Sequence, residues 1–186
     1  MDNPGLVHWE GVKHVFWYLA GTRDGALVYG TKVKGLEGFT DVDGDTQEHR
    51  LAIMGLIDQA AISWSSKKPE IVTLSTAESE YVATTHAAKE AIWLHRFIGE
   101  VFQPLTNPIP LYSDSQAAIA LTHNRSYHTR TKHIDIQYHF IQFIVNNGTI
   151  NVIYCPTDDM VANTLTKVLP NIKAKHFTFT LSLQST

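Results

Sequence analysis

Apolar residues near the start of the chain recur at the spacing of a helix. This pattern predicts an amphipathic α-helix over residues 6–20, which Gly21 closes. The residues that share its apolar face, at spacings of three and four, are Trp9, Val12, Phe16 and Leu19. The glycine-rich stretch that follows is typical of turns between short strands.

The next part of the chain has the alternating pattern of β-strands. Apolar Ile62 and Trp64 alternate with Ser63 and Ser65, which is the period of a half-buried strand. Asp58 and Gln59 are predicted to form the turn of the hairpin that leads into this strand. Further strands are predicted at Ala26–Gly30, Leu36–Val42 and Ile71–Leu74.

A long helix then begins at a clear signal. Ser75 and Glu78 form a capping box, in which each side chain can accept a hydrogen bond from the backbone N–H of the other. The apolar stripe of this helix, at spacings of four, four, three and four, consists of Ala83, Ala87, Ala91, Leu94 and Ile98. Prolines at 104, 108 and 110 exclude further helix.

Strands and helices alternate through the rest of the chain. The predicted elements are a strand Ile109–Tyr112, a helix capped by Ser113 or Asp114 and running to Leu121, a helix Ile134–Val145 ended by Gly148, a strand Thr149–Cys155, and a helix Asp158–Leu169 stopped by Pro170. Residues 171–186 show little helical pattern, and we expect a loosely held tail. This order predicts an α/β fold, a mixed sheet with helices on its faces.

Composition narrows the class of protein. A chain of 186 residues, 44% of them hydrophobic, can bury one good core, so we expect one domain with short appendages. A net charge of −3 argues against attachment to nucleic acid by bulk charge. Cys155 excludes an internal disulfide, since it is the one cysteine. With no membrane-spanning run and no signal peptide in the sequence, we expect an unsecreted intracellular monomer, in the cytoplasm or the nucleus.

Three acidic residues stand at the ends of predicted elements. Glu80 lies three residues before Ala83 and so extends the apolar stripe, whereas Glu78 lies on another face of the helix. A carboxylate directed inward is costly unless it is paired or bound to a metal. The alternative is that Glu80 bonds a loop amide at the rim of the sheet.

The other two acids also have simpler interpretations. Asp41 could merely terminate its strand, and Asp114 could be the N-cap of the following helix. Asp43 and Asp45 are expected to be solvated turn residues. If Asp41, Glu80 and Asp114 converge, however, they meet the requirement of a two-metal site for phosphodiester hydrolysis, where Mg²⁺ is held by carboxylate oxygens.

Six stretches of the sequence carry a specific resemblance to a known family. They are Gly11–Thr22, Ala61–Lys68, Leu74–Tyr81, Ala87–Leu94, Thr129–Asp135 and Pro156–Asp159. From His8 to Pro170 the chain resembles the C-terminal end of a copia-type retrotransposon polyprotein. The resemblance covers the close of the reverse transcriptase region, residues 1–23, and a ribonuclease H domain, residues 24–170.

The resemblance implies a ribonuclease H-like fold, with a mixed five-stranded sheet and helices on both faces. It implies cleavage of RNA in RNA–DNA hybrids with two Mg²⁺ ions, for which Mn²⁺ can substitute, and a reverse transcriptase portion as polyprotein partner. The family's acids fall on Asp41, Glu80 and Asp114. Its final aspartate falls on Asn163, and Asp159, one helical turn earlier, could partly compensate as a ligand.

Two departures from the family pattern lead to two hypotheses. An amide at Asn163 removes one negative charge from the metal cage. The chain also lacks apolar residues that the family has after Gly55, which predicts a shortened second strand. The first hypothesis is an Mg²⁺-dependent ribonuclease H impaired at position 163. The second is a non-catalytic remnant that at most binds nucleic acid.

A basic loop is the best candidate for contact with nucleic acid. Its residues are Arg125, His128, Arg130, Lys132 and His133. A solvated loop is the alternative, but the family resemblance favours contact with backbone phosphates. The histidine spacings do not favour a zinc site. Trp64, Trp93 and Tyr112 are expected to lie in the core.

Overall fold

The structure is a computed structural model, which describes residues 4–30, 35–43, 50–68, 73, 75–123 and 132–185. Its α-helices are α1 (Leu6–Gly21), α2 (Thr76–Val101), α3 (Gln116–His123), α4 (Lys132–Asn146) and α5 (Asn171–Thr180). Its strands are β1 (Gly25–Leu27), β2 (Leu36–Val42), β3 (Leu51–Ile57), β4 (Ala60–Lys67), β5 (Ile109–Ser113), β6 (Ile150–Tyr154) and β7 (Leu183–Ser185). A 3-10 helix, Val161–Leu165, lies between β6 and α5.

Strand β2 lies at the centre of the main sheet. The order of its strands, in the part of the chain that the structure describes, is β4-β3-β2-β5-β6. The first three pair antiparallel, whereas β5 is parallel to β2 and β6 is parallel to β5. The carboxyl ends of β2 and β5 therefore meet at one edge of the sheet. The predicted mixed, five-stranded sheet is confirmed.

The hairpin between β3 and β4 turns where the sequence predicts. Asp58 and Gln59 have φ of 51° and 70°, the left-handed values of a type I′ turn, which matches the twist of the flanking strands. The predicted shortening of the second strand, relative to the family, stays a prediction. Strand β3 pairs with β2 over all seven of its residues, and its register against β4 shifts between Gly55 and Leu56, as at a β-bulge.

Two layers of side chains cover the two faces of the sheet. On one face, α2, α3 and α4 pack through residues such as Leu94, Ala118 and Ile141. On the other face, the 3-10 helix and α5 contribute Val161 and Phe177 to a second cluster. Helices thus lie on both faces, as predicted.

Helix α2 follows the sequence prediction closely. The Ser75 hydroxyl accepts a hydrogen bond from the backbone N–H of Glu78 at 3.2 Å, which satisfies one of the free donors of the first turn. Every member of the predicted stripe, from Ala83 to Ile98, is buried. The start and the rotation of α2, which place Glu80, are therefore set by local sequence.

The C-terminal part differs from the expectation. Instead of an α-helix over Asp158–Leu169, a turn and a short 3-10 helix form. The side chain of Asn163 donates a hydrogen bond to the backbone carbonyl of Thr157. Instead of a loose tail, residues 171–185 form α5 and β7, with Phe177 fully buried. Strand β7 pairs with β1, so β1 lies outside the main sheet.

Two predicted core aromatics are exposed. Trp64 and Trp93 are each 58% exposed, since Trp64 lies on the edge strand and Trp93 faces away from the stripe of α2. The prediction that they are core is wrong. Most of the strand predicted at Ile71–Leu74 lies outside the described residues. Among the described helices, none is long and apolar enough to cross a membrane.

Candidate metal centre

Three carboxylates meet at the edge where β2 and β5 end. Asp41 is near the end of β2, Asp114 directly follows β5, and Glu80 is in the second turn of α2, which packs on these strands. One oxygen from each of Asp41, Glu80 and Asp114 lies within 4.8 Å of the others. The parallel pairing of β2 with β5 brings the two aspartates together, and the stripe of α2 turns Glu80 toward them.

Glu80 is a buried acid with a free oxygen. Its side chain accepts a backbone hydrogen bond from Val42, yet its Oε2 has no hydrogen-bond partner among the described residues. Burial, then the negative charges of Asp114 and Asp41, raise the pKa of Glu80 to about 8. A buried oxygen without a donor is costly, and a cation at this place would remove that cost.

Asp41 is held on both of its oxygens. Its Oδ2 accepts from the Thr166 hydroxyl, and its Oδ1 accepts from the Lys167 ammonium at 3.1 Å. Burial raises the pKa of Asp41, and the Thr166 and Lys167 donors oppose that rise. The carboxylate is fully buried, so these donors fix its orientation.

Asp114 is not the N-cap of α3. The Ser115 hydroxyl accepts from the backbone N–H of Ala118 at 3.2 Å and caps the helix instead. Asp114 Oδ2 accepts from the Thr157 hydroxyl at 2.9 Å. Since the capping role belongs to Ser115, the Asp114 carboxylate is available to the site.

Lys167 is a member of the site that the sequence did not reveal. Its ammonium donates to Asp41 and, at 2.6 Å, to Asn163 Oδ1. Asn163 in turn donates its amide N–H to the Thr157 carbonyl at 2.8 Å. The amide at 163 is thus used at both ends. A spacing of four between Asn163 and Lys167 is the only local signal of their contact.

The donor set suits a hard divalent cation. Three carboxylates at close range repel one another, and one of them, Glu80, has a buried oxygen without a hydrogen-bond partner among the described residues. Mg²⁺ and ions like it take carboxylate oxygens and relieve such repulsion. A divalent ion therefore fits Asp41, Glu80 and Asp114.

Comparison with known proteins identifies the family. No family model matches the chain. The chain is 41% identical over 177 residues to the retrovirus-related Pol polyprotein from transposon TNT 1-94 of Nicotiana tabacum. This match covers 93% of this chain and 13% of that protein. It is 35% identical over 183 residues to the retrovirus-related Pol polyprotein from transposon RE2 of Arabidopsis thaliana. That match covers 95% of this chain and 12% of the RE2 protein. The chain is homologous to one segment of these copia-type Pol polyproteins. It spans about an eighth of the length of these two relatives.

The fold of this copia-type segment also matches a solved structure. It is similar to the N-terminal ribonuclease H domain of Rv2228c from Mycobacterium tuberculosis, with a TM-score of 0.52 at 12% identity. The match covers 78% of this chain and 99% of that chain. At this identity the likeness shows the fold alone. The copia-type segment has the ribonuclease H fold that its sequence resemblance implied.

Other predicted site residues of the copia-type segment lie elsewhere. Asp159 is outside the group of three acids; it lies in a turn, where its N–H donates to the Pro156 carbonyl and its charge adds to burial in raising the pKa of Cys155. The helix that would have aligned it with position 163 does not form. Asp43, expected to be solvated, is 6% exposed.

The predicted basic loop of the copia-type segment cannot be placed. Arg125, His128 and Arg130 lie outside the described residues. Lys132 and His133 begin α4, but their side chains also lie outside the description.

Proposed function

We propose that this segment is a divalent-metal-dependent ribonuclease H that hydrolyses RNA in RNA–DNA hybrids. The proposal rests on one observation, the convergence of Asp41, Glu80 and Asp114 within 4.8 Å at the edge of the sheet. These residues are the acids that the family resemblance names. In this proposal the segment acts as part of a longer Pol polyprotein, beside its reverse transcriptase portion.

Each residue of the site has a definite task in this proposal. Glu80 and Asp114 offer carboxylate oxygens, and the Thr157 hydroxyl orients Asp114. Thr166 and Lys167 hold Asp41 in place. A bound Mg²⁺ supplies an activated water and neutralises charge on the phosphate. The burial of Asp41 and Glu80 excludes bulk water and strengthens their attraction for a cation.

We propose further that the activity is impaired at position 163. Asn163 offers a neutral carbonyl where the family has a carboxylate, and that carbonyl already accepts from Lys167. The site therefore has less negative charge than a two-metal cage, which weakens at least one ion. Because a tenfold loss in rate needs only about 1.4 kcal/mol, very slow hydrolysis in Mg²⁺ is expected.

A second candidate is a non-catalytic segment that binds hybrid without cutting it. Its support is that the Asn163 amide is paired at both its nitrogen and its oxygen, since it donates to the Thr157 carbonyl and accepts from Lys167. A position adapted to an amide is what a site that no longer cuts would contain.

A cleavage assay separates these candidates. The full chain is incubated with a labelled RNA–DNA hybrid in Mg²⁺ and in Mn²⁺, beside Asn163→Asp and Glu80→Gln. Hydrolysis should be slow, faster in Asn163→Asp, and abolished in Glu80→Gln. The matched control is Glu100→Gln, on an exposed position of the same helix, which should leave the rate unchanged. If neither natural chain nor Asn163→Asp cuts, the non-catalytic candidate replaces the first.

The basic loop is proposed as the contact to the hybrid backbone. Neutralising phosphates releases counterions, so binding should weaken strongly with salt. Arg130→Ala with Lys132→Ala should lower both the affinity and the slope of that dependence in a filter-binding titration. Lys173→Ala with Lys175→Ala, on α5, is the control with the same loss of charge. An unchanged slope in the loop variant would remove the loop from the interface.

A further inference from the structure

The candidate metal centre already contains a cation of the chain's own. The Lys167 ammonium lies 3.1 Å from Asp41 Oδ1 and 2.6 Å from Asn163 Oδ1. It therefore bridges the first acid of the site and the position where the family has its last one. Lys167 is about one-third exposed, whereas the Asp41 side chain is 1% exposed, so the ammonium enters the site from its open side.

The position of the ammonium is fixed by a chain of contacts. Asn163 is fully buried and is anchored by its own hydrogen bond to the Thr157 carbonyl at 2.8 Å. Its carbonyl oxygen therefore points at Lys167 without freedom to turn away. On the other side, the Thr166 hydroxyl holds the second oxygen of Asp41. These contacts form a place built for a positive charge between Asp41 and Asn163.

The oxygens of the site divide into two sets. Both oxygens of Asp41 accept from protein donors, Thr166 and Lys167. Glu80 Oε2 is buried and has no donor among the described residues, and the Glu80 carboxylate lies beside those of Asp41 and Asp114. One part of the site is therefore supplied with a cation by the chain, and the other part requires one.

The charges of the site lead to the same division. Asp41, Glu80 and Asp114 bring three negative charges when ionised, and Lys167 brings one positive charge. One divalent ion balances the remainder. Two divalent ions would leave an excess of positive charge in a largely buried place, which is costly. An aspartate at 163 would have lowered that excess, but Asn163 is neutral.

We propose that this site binds a single divalent cation, at Glu80, Asp114 and Asp41, and that the Lys167 ammonium stands where a second ion would otherwise be. This inference rests on the proposed metal-dependent function and specifies how many ions serve it. Lys167 is a positioning residue, since it holds Asp41 and fills the space beside Asn163. Asn163 and Lys167 thus act as a pair, an amide that accepts from an ammonium.

The stoichiometry of Mn²⁺ binding tests the inference without any activity. The full, metal-free chain is titrated with Mn²⁺ alone, and free ion is measured by electron paramagnetic resonance. One ion should bind per chain. Lys167→Met should bind its ion about tenfold more tightly, because a unit positive charge near the ion is removed. Lys167→Met combined with Asn163→Asp should bind two ions.

Two further variants keep the outcome interpretable. Lys175→Met removes an ammonium at an exposed position of α5 and should change neither affinity nor stoichiometry. Lys167→Arg retains the positive charge and should keep a single ion at the original affinity. Circular dichroism of each variant checks that it is folded.

Several results would overturn the inference. They are two tight ions in the natural chain, no Mn²⁺ bound at all, or unchanged affinity in a folded Lys167→Met. Its failure is distinguishable from failure of the proposed function. One bound ion without hybrid cleavage would refute the function and leave the inference standing. Cleavage by a chain with two bound ions would refute only the inference.

Discussion

At the scale of residues, the site is defined by which polar atoms have partners. The Asn163 amide and the Asp41 carboxylate are fully engaged, whereas Glu80 Oε2 has no partner among the described residues. Removing a partner from a buried group and supplying one to an orphaned group should have opposite effects on stability. Two single substitutions and a pH series can measure this.

The buried Glu80 should make the metal-free chain less stable as pH rises. Its pKa is about 8 in the folded chain against 4.5 as the ordinary value, so the folded state retains a proton that the unfolded state releases. The stabilisation by that proton is complete below pH 4.5 and is lost as pH rises through about 8. Urea unfolding in EDTA, between about pH 5 and pH 8, should show this loss, at most about 1.4 kcal/mol per pH unit.

Glu80→Gln is the reference for this series, because its amide does not titrate. The difference in unfolding free energy between the natural chain and Glu80→Gln should fall with pH. The addition of Mg²⁺ near pH 8 should restore the unfolding free energy of the natural chain and leave that of Glu80→Gln unchanged. A pH-independent difference would show that Glu80 is ionised without cost.

Asn163→Asp should destabilise the metal-free chain by about 1–3 kcal/mol. The substitution removes the N–H that the Thr157 carbonyl accepts and places a carboxylate beside that carbonyl. Chemical denaturation in EDTA measures the loss. Asn151→Asp, on an exposed position of β6, is the matched control and should change stability by less than about 0.5 kcal/mol. Equal effects at both positions would mean that the Thr157 bond contributes nothing.

At the scale of elements, α5 is the helix whose role in the fold is least evident from its own sequence. Its sequence has no sustained apolar stripe, yet Phe177 is fully buried in the cluster that also holds Met54 and Val161. The same cluster includes Leu181, just beyond the helix. Helix α5 therefore completes one face of the sheet, and its stability comes from contact with distant strands.

A pair of phenylalanines on α5 tests this role. Phe177→Ala should cost about 3–5 kcal/mol, since it leaves a cavity in the core. Phe179 is 82% exposed on the same helix, and Phe179→Ala should cost little. Thermal or urea unfolding of the two variants measures the difference. Similar, small costs in both would mean that the tail is loosely held after all.

The same contrast explains what the sequence could predict among the elements. Helix α2 has a cap and a stripe within its own residues, and its start and buried face were predictable. Helix α5 depends on contacts with residues far away in the chain. Strands β1 and β7 are short, and their local sequences do not show that they pair with each other. The 3-10 helix replaces the predicted α-helix because side-chain bonds of Asn163 and Thr164 to the backbone compete with regular helix.

At the scale of the whole molecule, the convergence of the acids was predictable and the ammonium was not. Asp41 and Asp114 end strands, and parallel pairing brings such ends together; the register of α2 supplies Glu80. Lys167 reaches Asp41 across 126 residues of sequence, and no local pattern predicts a contact of that range. The exposure of Trp64 was also not predictable from the sequence, because it depends on β4 being the edge strand of the sheet.

Helix α1 presents apolar residues to solvent in this structure. None of its residues is buried, and large exposed side chains include Trp9, Phe16 and Trp17. Removal of residues 1–21 should therefore leave the thermal unfolding temperature of the rest unchanged. It should also reduce concentration-dependent association, since exposed apolar patches promote it. Calorimetry and sedimentation velocity measure the two effects. A fall of several degrees would show that α1 stabilises the fold.

The pairing of β1 with β7 makes the chain suitable for circular permutation. Gly25 and Ser185 are partners in that antiparallel pair, so the two ends of the folded segment leave it side by side. A short linker could join them, and the chain could be opened instead at Thr106 and Asn107, which are exposed between α2 and β5. Such a circular permutant of residues 25–185 should fold and bind Mn²⁺ like its parent. The same adjacency would let residues 25–185 be inserted as a unit into a loop of another protein with little strain on either.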